Sequence, residues 1–163
     1  MRIAIIVPPF GNQLSDQASQ ILVNDWIVDL ASRHPAIQWA AVGPLAVGNA
    51  SQTPHLSHLA LEGRPAGLAG GWWHRRKLYK LITGWQAQRV ICLDPDISGP
   101  AGLPLALVLH PDWTPAARSF FSGRRSKQRM KQLAAAQQVA VPLPWQQEWL
   151  QKQYGTAPEK ILL

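Results

Sequence analysis

The side chains best placed to do chemistry stand in "VLHPDWTP", residues 108–115. His110 closes the apolar run Leu103–His110, and Asp112 follows it across Pro111. An imidazole can trade a proton near neutral pH, and a carboxylate beside it can orient the ring. The same histidine could equally be a core residue at the end of a buried strand. Asp94 and Asp96 flank Pro95 at the end of a second apolar run, Arg89–Leu93. Paired carboxylates can hold a cation or work as acid and base. No third ligand stands near them in the sequence, so no metal is expected, and a helix cap or turn accounts for the pair. Gly11, in "PPFGN", lets a backbone approach a ligand near a helix start, where free N–H groups favour polar or anionic groups. A tight turn without a ligand fits it as well. That loop carries neither G-x-G-x-x-G nor G-x-x-x-x-G-K-[ST], which counts against an NAD enzyme and a P-loop NTPase. Cys92 has no cationic neighbour in sequence and reads as core.

Two stretches could bind anions. "WWHRRKLYK", residues 72–80, interleaves aromatic and basic side chains. On a helix, Trp72, Arg75, Arg76, Lys77 and Lys80 could form a surface that settles into a membrane interface. The alternative is a helix that buries Trp73, Leu78 or Leu81 and leaves its charges in water. Arg124, Arg125, Lys127, Arg129 and Lys131 make a second basic cluster. A solvated face explains it, but two clusters close together favour an anionic surface.

These groups need elements to hold them. Arg2–Val7 is an apolar, β-branched run ending at two prolines, and it reads as a strand buried on both faces. A helical pattern follows from about Leu14 to Arg33, with Ser15 or Asp16 as cap and Ala18, Ile21, Leu22, Trp26, Ile27 and Leu30 as its apolar face. His34-Pro35 ends it, and Ile37–Val42 is a second strand. Strand, helix, strand in so short a span is a βαβ unit with parallel pairing. Gly43 to Gly71 is a long polar loop in which Ser57–Leu61 forms a short strand or a turn of helix. The spacing then predicts a helix over Trp72–Trp85, strands at Arg89–Leu93 and Leu105–Leu109, a helix over Arg124–Ala136, a strand at Gln138–Val141 and a helix over Trp145–Tyr154 stopped by Gly155. "KILL", residues 160–163, looks like the beginning of one more strand. The fold class is α/β, a Rossmann-like three-layer sandwich with five or six mostly parallel strands. In such sheets ligands bind at the carboxyl ends of the strands. His110, Asp94 and the "PPFGN" loop all follow such ends.

The chain's 163 residues suffice for one domain with a real core, and 47% apolar against 15% charged residues argues for a globular protein. One cysteine makes no internal disulfide, so no oxidising compartment is needed. The apolar start breaks at Pro8-Pro9, too short for a secretory signal, and no apolar stretch could span a bilayer, so a cytoplasmic protein is expected. The charge is uneven. Residues 64–131 hold twelve of the sixteen basic side chains but only three of the nine acidic ones. So basic a middle points to an anionic partner. Nucleic acid fits the charge, but no nucleic-acid-binding motif accompanies it, which makes it the weaker candidate.

Taken in order, four segments resemble the N-terminal domain of a retaining glycosyltransferase of family 4, the glycogen-synthase-like group with the GT-B fold. They are "MRIAIIVPPF", "AQRVICLDPD", "LALVLHPDWTP" and "VAVPLPWQQEWLQKQYGTAPEKILL". The resemblance runs the length of the chain and rests on order and spacing. It implies a protein of two Rossmann-like domains facing each other across a cleft. The first, residues 1–163, would bind mainly the acceptor, and a C-terminal domain not in this chain would bind the sugar nucleotide. The nucleotide sugar would be a substrate, with no cofactor and no metal required. By the resemblance His110 is the catalytic residue facing the transferred sugar. Phe10, Gly11 and Asn12 approach donor phosphates or acceptor, and Asp112 matches less well because Pro111 intervenes. The helix around Trp72–Lys80 is similar in kind to one that docks members of the family onto membranes carrying lipid-linked acceptors. That implies a cytoplasmic protein, peripheral at the inner membrane face. The family's serine and glutamate at the start of the last helix are replaced here by Leu143 and Pro144. The chain alone is expected to be inactive. The alternative is a non-catalytic α/β module that binds an anionic membrane surface or polymer.

Overall fold

The computed structural model describes residues 1–7, 14–43, 53–61, 68–93, 100, 102–109 and 122–163. Its seven strands form one sheet in the order β3-β2-β1-β4-β5-β6-β7. By internal packing the chain divides into two compact units, Met1–Arg89 and Val90–Leu163.

In the first unit, β1 (Arg2–Ile6) is joined by α1 (Leu14–Arg33) to β2 (Gln38–Gly43), and β3 (Leu56–Ala60) precedes α2 (Leu68–Gly84). β1 pairs parallel with β2, from Arg2 opposite Gln38 to Ile6 opposite Val42. β2 pairs parallel with β3, from Trp39 opposite Leu56 to Gly43 opposite Ala60. Ile3 to Val7 are all buried, as are Trp39 to Val42, because a parallel strand is covered on both faces. Each such isoleucine or valine contributes roughly 1.5–3 kcal/mol over an exposed one. β3 is the strand that sequence left open between strand and helix. Its pattern is weak because it sits at the sheet edge, where only part of each side chain is covered.

α1 spans the expected residues but seats a different arc. Ile27 and Ala31 are buried, with Val23 and Leu30 half-buried beside them. Ile21, Leu22 and Trp26, expected on the core face, are 59%, 67% and 38% exposed. Apolar residues lie on nearly every side of this helix, so the period does not choose between arcs. The sheet does, through the arc centred on Ile27.

In the second unit, β4 (Arg89–Cys92), which begins at the unit boundary, leads to β5 (Leu105–Val108), α3 (Ser122–Ala135), β6 (Gln138–Ala140), α4 (Pro144–Tyr154), a 3-10 turn at Pro158–Lys160 and β7 (Ile161–Leu162). β4 with β5, β5 with β6 and β6 with β7 all pair parallel. Val90, Cys92, Leu107, Val139 and Leu150 are fully buried. The "KILL" segment does form a strand: Val141 donates its N–H to the Leu162 carbonyl at 2.8 Å. α4 shows what Leu143 and Pro144 do. Leu143 is the N-cap without a side-chain hydrogen bond, and Pro144 takes the first helical position, where a missing N–H costs nothing. Gly155 ends the helix at φ 62°, with hydrogen bonds to the Gln151 and Leu150 carbonyls.

Candidate functional site

At the carboxyl edge of the first unit, Val7 donates its N–H to the Val42 carbonyl at 2.9 Å, and Leu61 donates to the Gly43 carbonyl at 2.9 Å. These bonds carry the pairing one residue past each strand. Gly43 closes the edge tightly: a Cβ there would stand 2.9 Å from the Val7 carbonyl oxygen. Phe10, Gly11 and Asn12 follow three to five residues after Val7 and lie outside the described residues.

The second unit repeats this arrangement. Leu109, 2% exposed, donates its N–H to the Ala140 carbonyl at 3.0 Å, which extends β5 to the last residue before His110. The sequence therefore places position 110 directly after a buried, hydrogen-bonded edge. His110 and Asp112 themselves lie outside the described residues, as do Asp94 and Asp96. Among the described residues, no three His, Cys, Asp or Glu side chains gather to hold a metal ion.

α2 carries the basic cluster in plain view. Leu78 and Ile82, one turn apart, are buried, and the opposite side presents Trp73, Arg76 and Lys80, with Arg75 and Lys77 exposed on the flanks. Of the three residues that the alternative reading offers to the core, Leu78 is buried and Leu81 half-buried, while Trp73 is 60% exposed. Trp72 lies in α2, its side chain outside the described residues. The helix contains no acidic residue. Among the described residues no helix is long and apolar enough to cross a membrane.

Sequence reasoning missed two buried polar groups near these elements. Arg129 on α3 was grouped with a surface cluster, yet it is 8% exposed. A guanidinium taken out of water needs partners, and Arg129 is engaged by a neighbour. Arg124, Arg125 and Lys127 have side chains outside the described residues, and Lys131 is exposed. Gln146, fully buried in the first turn of α4, is likewise engaged. The apolar neighbours Met130 and Leu133 give no hint that Arg129 faces inward. The only signal for Gln146 is its place three residues after the N-cap, where glutamine is common.

No protein-family model matches the sequence, and no curated protein matches it significantly. Among solved structures, the chain is similar to UGT73P12 of Glycyrrhiza uralensis, a GT-B glycosyltransferase seen in complex with glycyrrhetinic acid 3-O-monoglucuronide. The TM-score is 0.57 at 11% sequence identity, and the match covers 94% of this chain. It covers 47% of that protein, so this chain spans about half its length. At this identity the likeness shows the fold. The chain has the α/β, Rossmann-like fold found in GT-B glycosyltransferases.

Proposed function

We propose that this chain is the acceptor-side domain of a two-domain GT-B glycosyltransferase, related to the retaining enzymes of family 4. The complete protein would move a sugar from a nucleotide donor to an acceptor in the cytoplasm, without a metal or cofactor. His110 would face the transferred sugar, and Phe10, Gly11, Asn12 and Asp112 would bind substrate. The observation that carries this reading is the fold likeness, which takes in nearly all of this chain and about half of its neighbour. The strands extended to Val7 and Leu109 end there at their carboxyl ends, the side where such sheets bind ligands, and the proposed residues follow them in the sequence. A donor domain would be its partner, and the isolated chain would be inactive. The test pairs two assays on the isolated chain. Saturable binding of sugar acceptors, weakened by His110→Ala, with no transfer from nucleotide sugars, is expected. Sugar transfer by the chain alone overturns the division of labour. No binding to any of a panel of glycosides, oligosaccharides and polyprenyl phosphates overturns the acceptor role.

The exposed face of α2 favours a second reading, that this surface meets an anionic membrane. Four cations and an exposed indole, with no acid on the helix, suit a bilayer interface. The two readings are compatible, since an acceptor carried on a lipid would lie at the same surface.

A further inference from the structure

The amino edge of the first unit holds a polar cavity of about 410 Å³, lined by Met1, Arg2, Ala36, Gln38, Gln86 and Gln88. It lies at the start of β1 and β2 and just before β4, away from the carboxyl ends. Arg2 organises it. Its Nε donates to Gln38 Oε1 at 2.9 Å, and its Nη1 donates to Gln86 Oε1 at 2.8 Å and to the Trp85 carbonyl at 3.3 Å. Its backbone N–H donates to Gln88 Oε1 at 3.0 Å. The guanidinium also stands 5.9 Å from the centre of the Trp85 ring.

This pattern fixes how the three amides are turned. A guanidinium and a backbone N–H only donate, so the atom that each glutamine presents to Arg2 must be its oxygen. With that oxygen given to Arg2, the opposite end of each amide is an NH2 group with two N–H donors. The three glutamines, all exposed, line one cavity beside a cation. The partners of the guanidinium are all neutral, and no carboxylate is among the lining residues. The cavity is therefore rich in donors and positively charged, which is the complement of an oxyanion. Gln86 has φ 59°, the left-handed conformation with which α2 ends, where Ala87 donates its N–H to the Ile82 carbonyl. The Gln86 N–H bond to the Thr83 carbonyl and its side-chain bond to Arg2 hold it there.

We propose that this cavity binds the oxyanion of a small ligand, a carboxylate or a phosphate, through Arg2 and the amides of Gln38, Gln86 and Gln88. The inference does not depend on the glycosyltransferase reading, since the cavity is on the other edge of the sheet. Side-chain amide and arginine Nε resonances of the full chain are followed while inorganic phosphate or acetate is added, with sodium chloride at matched ionic strength as the reference. Saturable shifts at Gln38, Gln86, Gln88 and Arg2 that chloride does not reproduce are expected. The stronger of the two anions names the source, phosphate ester or carboxylate. Gln38→Glu and Gln88→Glu keep an oxygen for Arg2, so the fold is retained, but replace the NH2 donors by negative oxygen. Each is expected to weaken binding about tenfold or more, with the melting temperature held or raised. Absence of saturable shifts with both anions, or affinity unchanged in both variants, overturns the proposal.

Discussion

Gly43 and Val7 meet where β1 and β2 end: a Cβ on Gly43 would lie 2.9 Å from the Val7 carbonyl oxygen and 3.0 Å from the Val7 Cβ. Both atoms belong to a buried, hydrogen-bonded edge that cannot move aside cheaply. Gly43→Ala is therefore expected to cost about 1–3 kcal/mol, measured by chemical denaturation. A stability equal to the parent chain would show that the edge gives way. The same strand ends lead toward residues 8–13 and 44–52, so a loss of ligand binding larger than the loss of folding would tie this contact to the site.

Arg2 holds the turn between α2 and β4 to the starts of β1 and β2 through four hydrogen-bond acceptors. Three of the four bonds come from its side chain or depend on its fork, and one from its backbone. Arg2→Ala is expected to cost about 1–2 kcal/mol, since the network is partly open to solvent. Arg2→Lys recovers little of it, because an ammonium cannot reach Gln38 and Gln86 with the geometry of a planar fork. Trp85 fluorescence reads the local change, and unfolding curves of both variants identical to that of the parent chain would contradict the account.

The parts of the fold that were legible in the sequence are those with a saturated pattern. "RIAII" and "QWAAV" are buried on both faces, so nearly every position is apolar. Gly155 announced the end of α4, and Gly155→Ala is expected to cost about 1 kcal/mol because φ is 62° there. A melting temperature unchanged by that substitution would mean that the helix end relaxes. What stayed hidden is what only neighbours decide. Ile21, Leu22 and Trp26 look like core and face water because the sheet meets the other arc of α1. Arg129 looks like surface and is buried. The candidate site was legible only as positions that follow apolar runs in the sequence, and its residues lie outside the described ones. Periodicity does not say what His110 or Phe10 touches.

His110 carries the strongest functional expectation. In the proposed two-domain enzyme, His110→Ala is expected to slow sugar transfer about a hundredfold, with little effect on melting, because position 110 comes after the buried, hydrogen-bonded Leu109 in the sequence. Rates and melting temperature measured together decide the matter. A melting temperature that falls in step with the rate would make His110 a structural residue, and Asp112→Asn alongside it tests whether the acid orients the ring.

Trp73 and Lys80 are two turns apart on the outward side of α2, with Arg76 between them. Near an anionic bilayer each cation contributes about 1 kcal/mol, and the indole adds apolar area that neutral vesicles would also feel. Arg75→Ala with Arg76→Ala is thus expected to cost about 2 kcal/mol, roughly thirtyfold in partitioning onto vesicles containing phosphatidylserine. Trp73→Ala should reduce binding to anionic vesicles less steeply with salt, because its contribution is not screened. Leu78→Ala is the contrast: it weakens the fold and should leave the affinity of the folded fraction as it was. Sedimentation with anionic and neutral vesicles measures all three. Retention of the doubly substituted chain at parental strength would mean that the basic face of α2 does not contact the lipid.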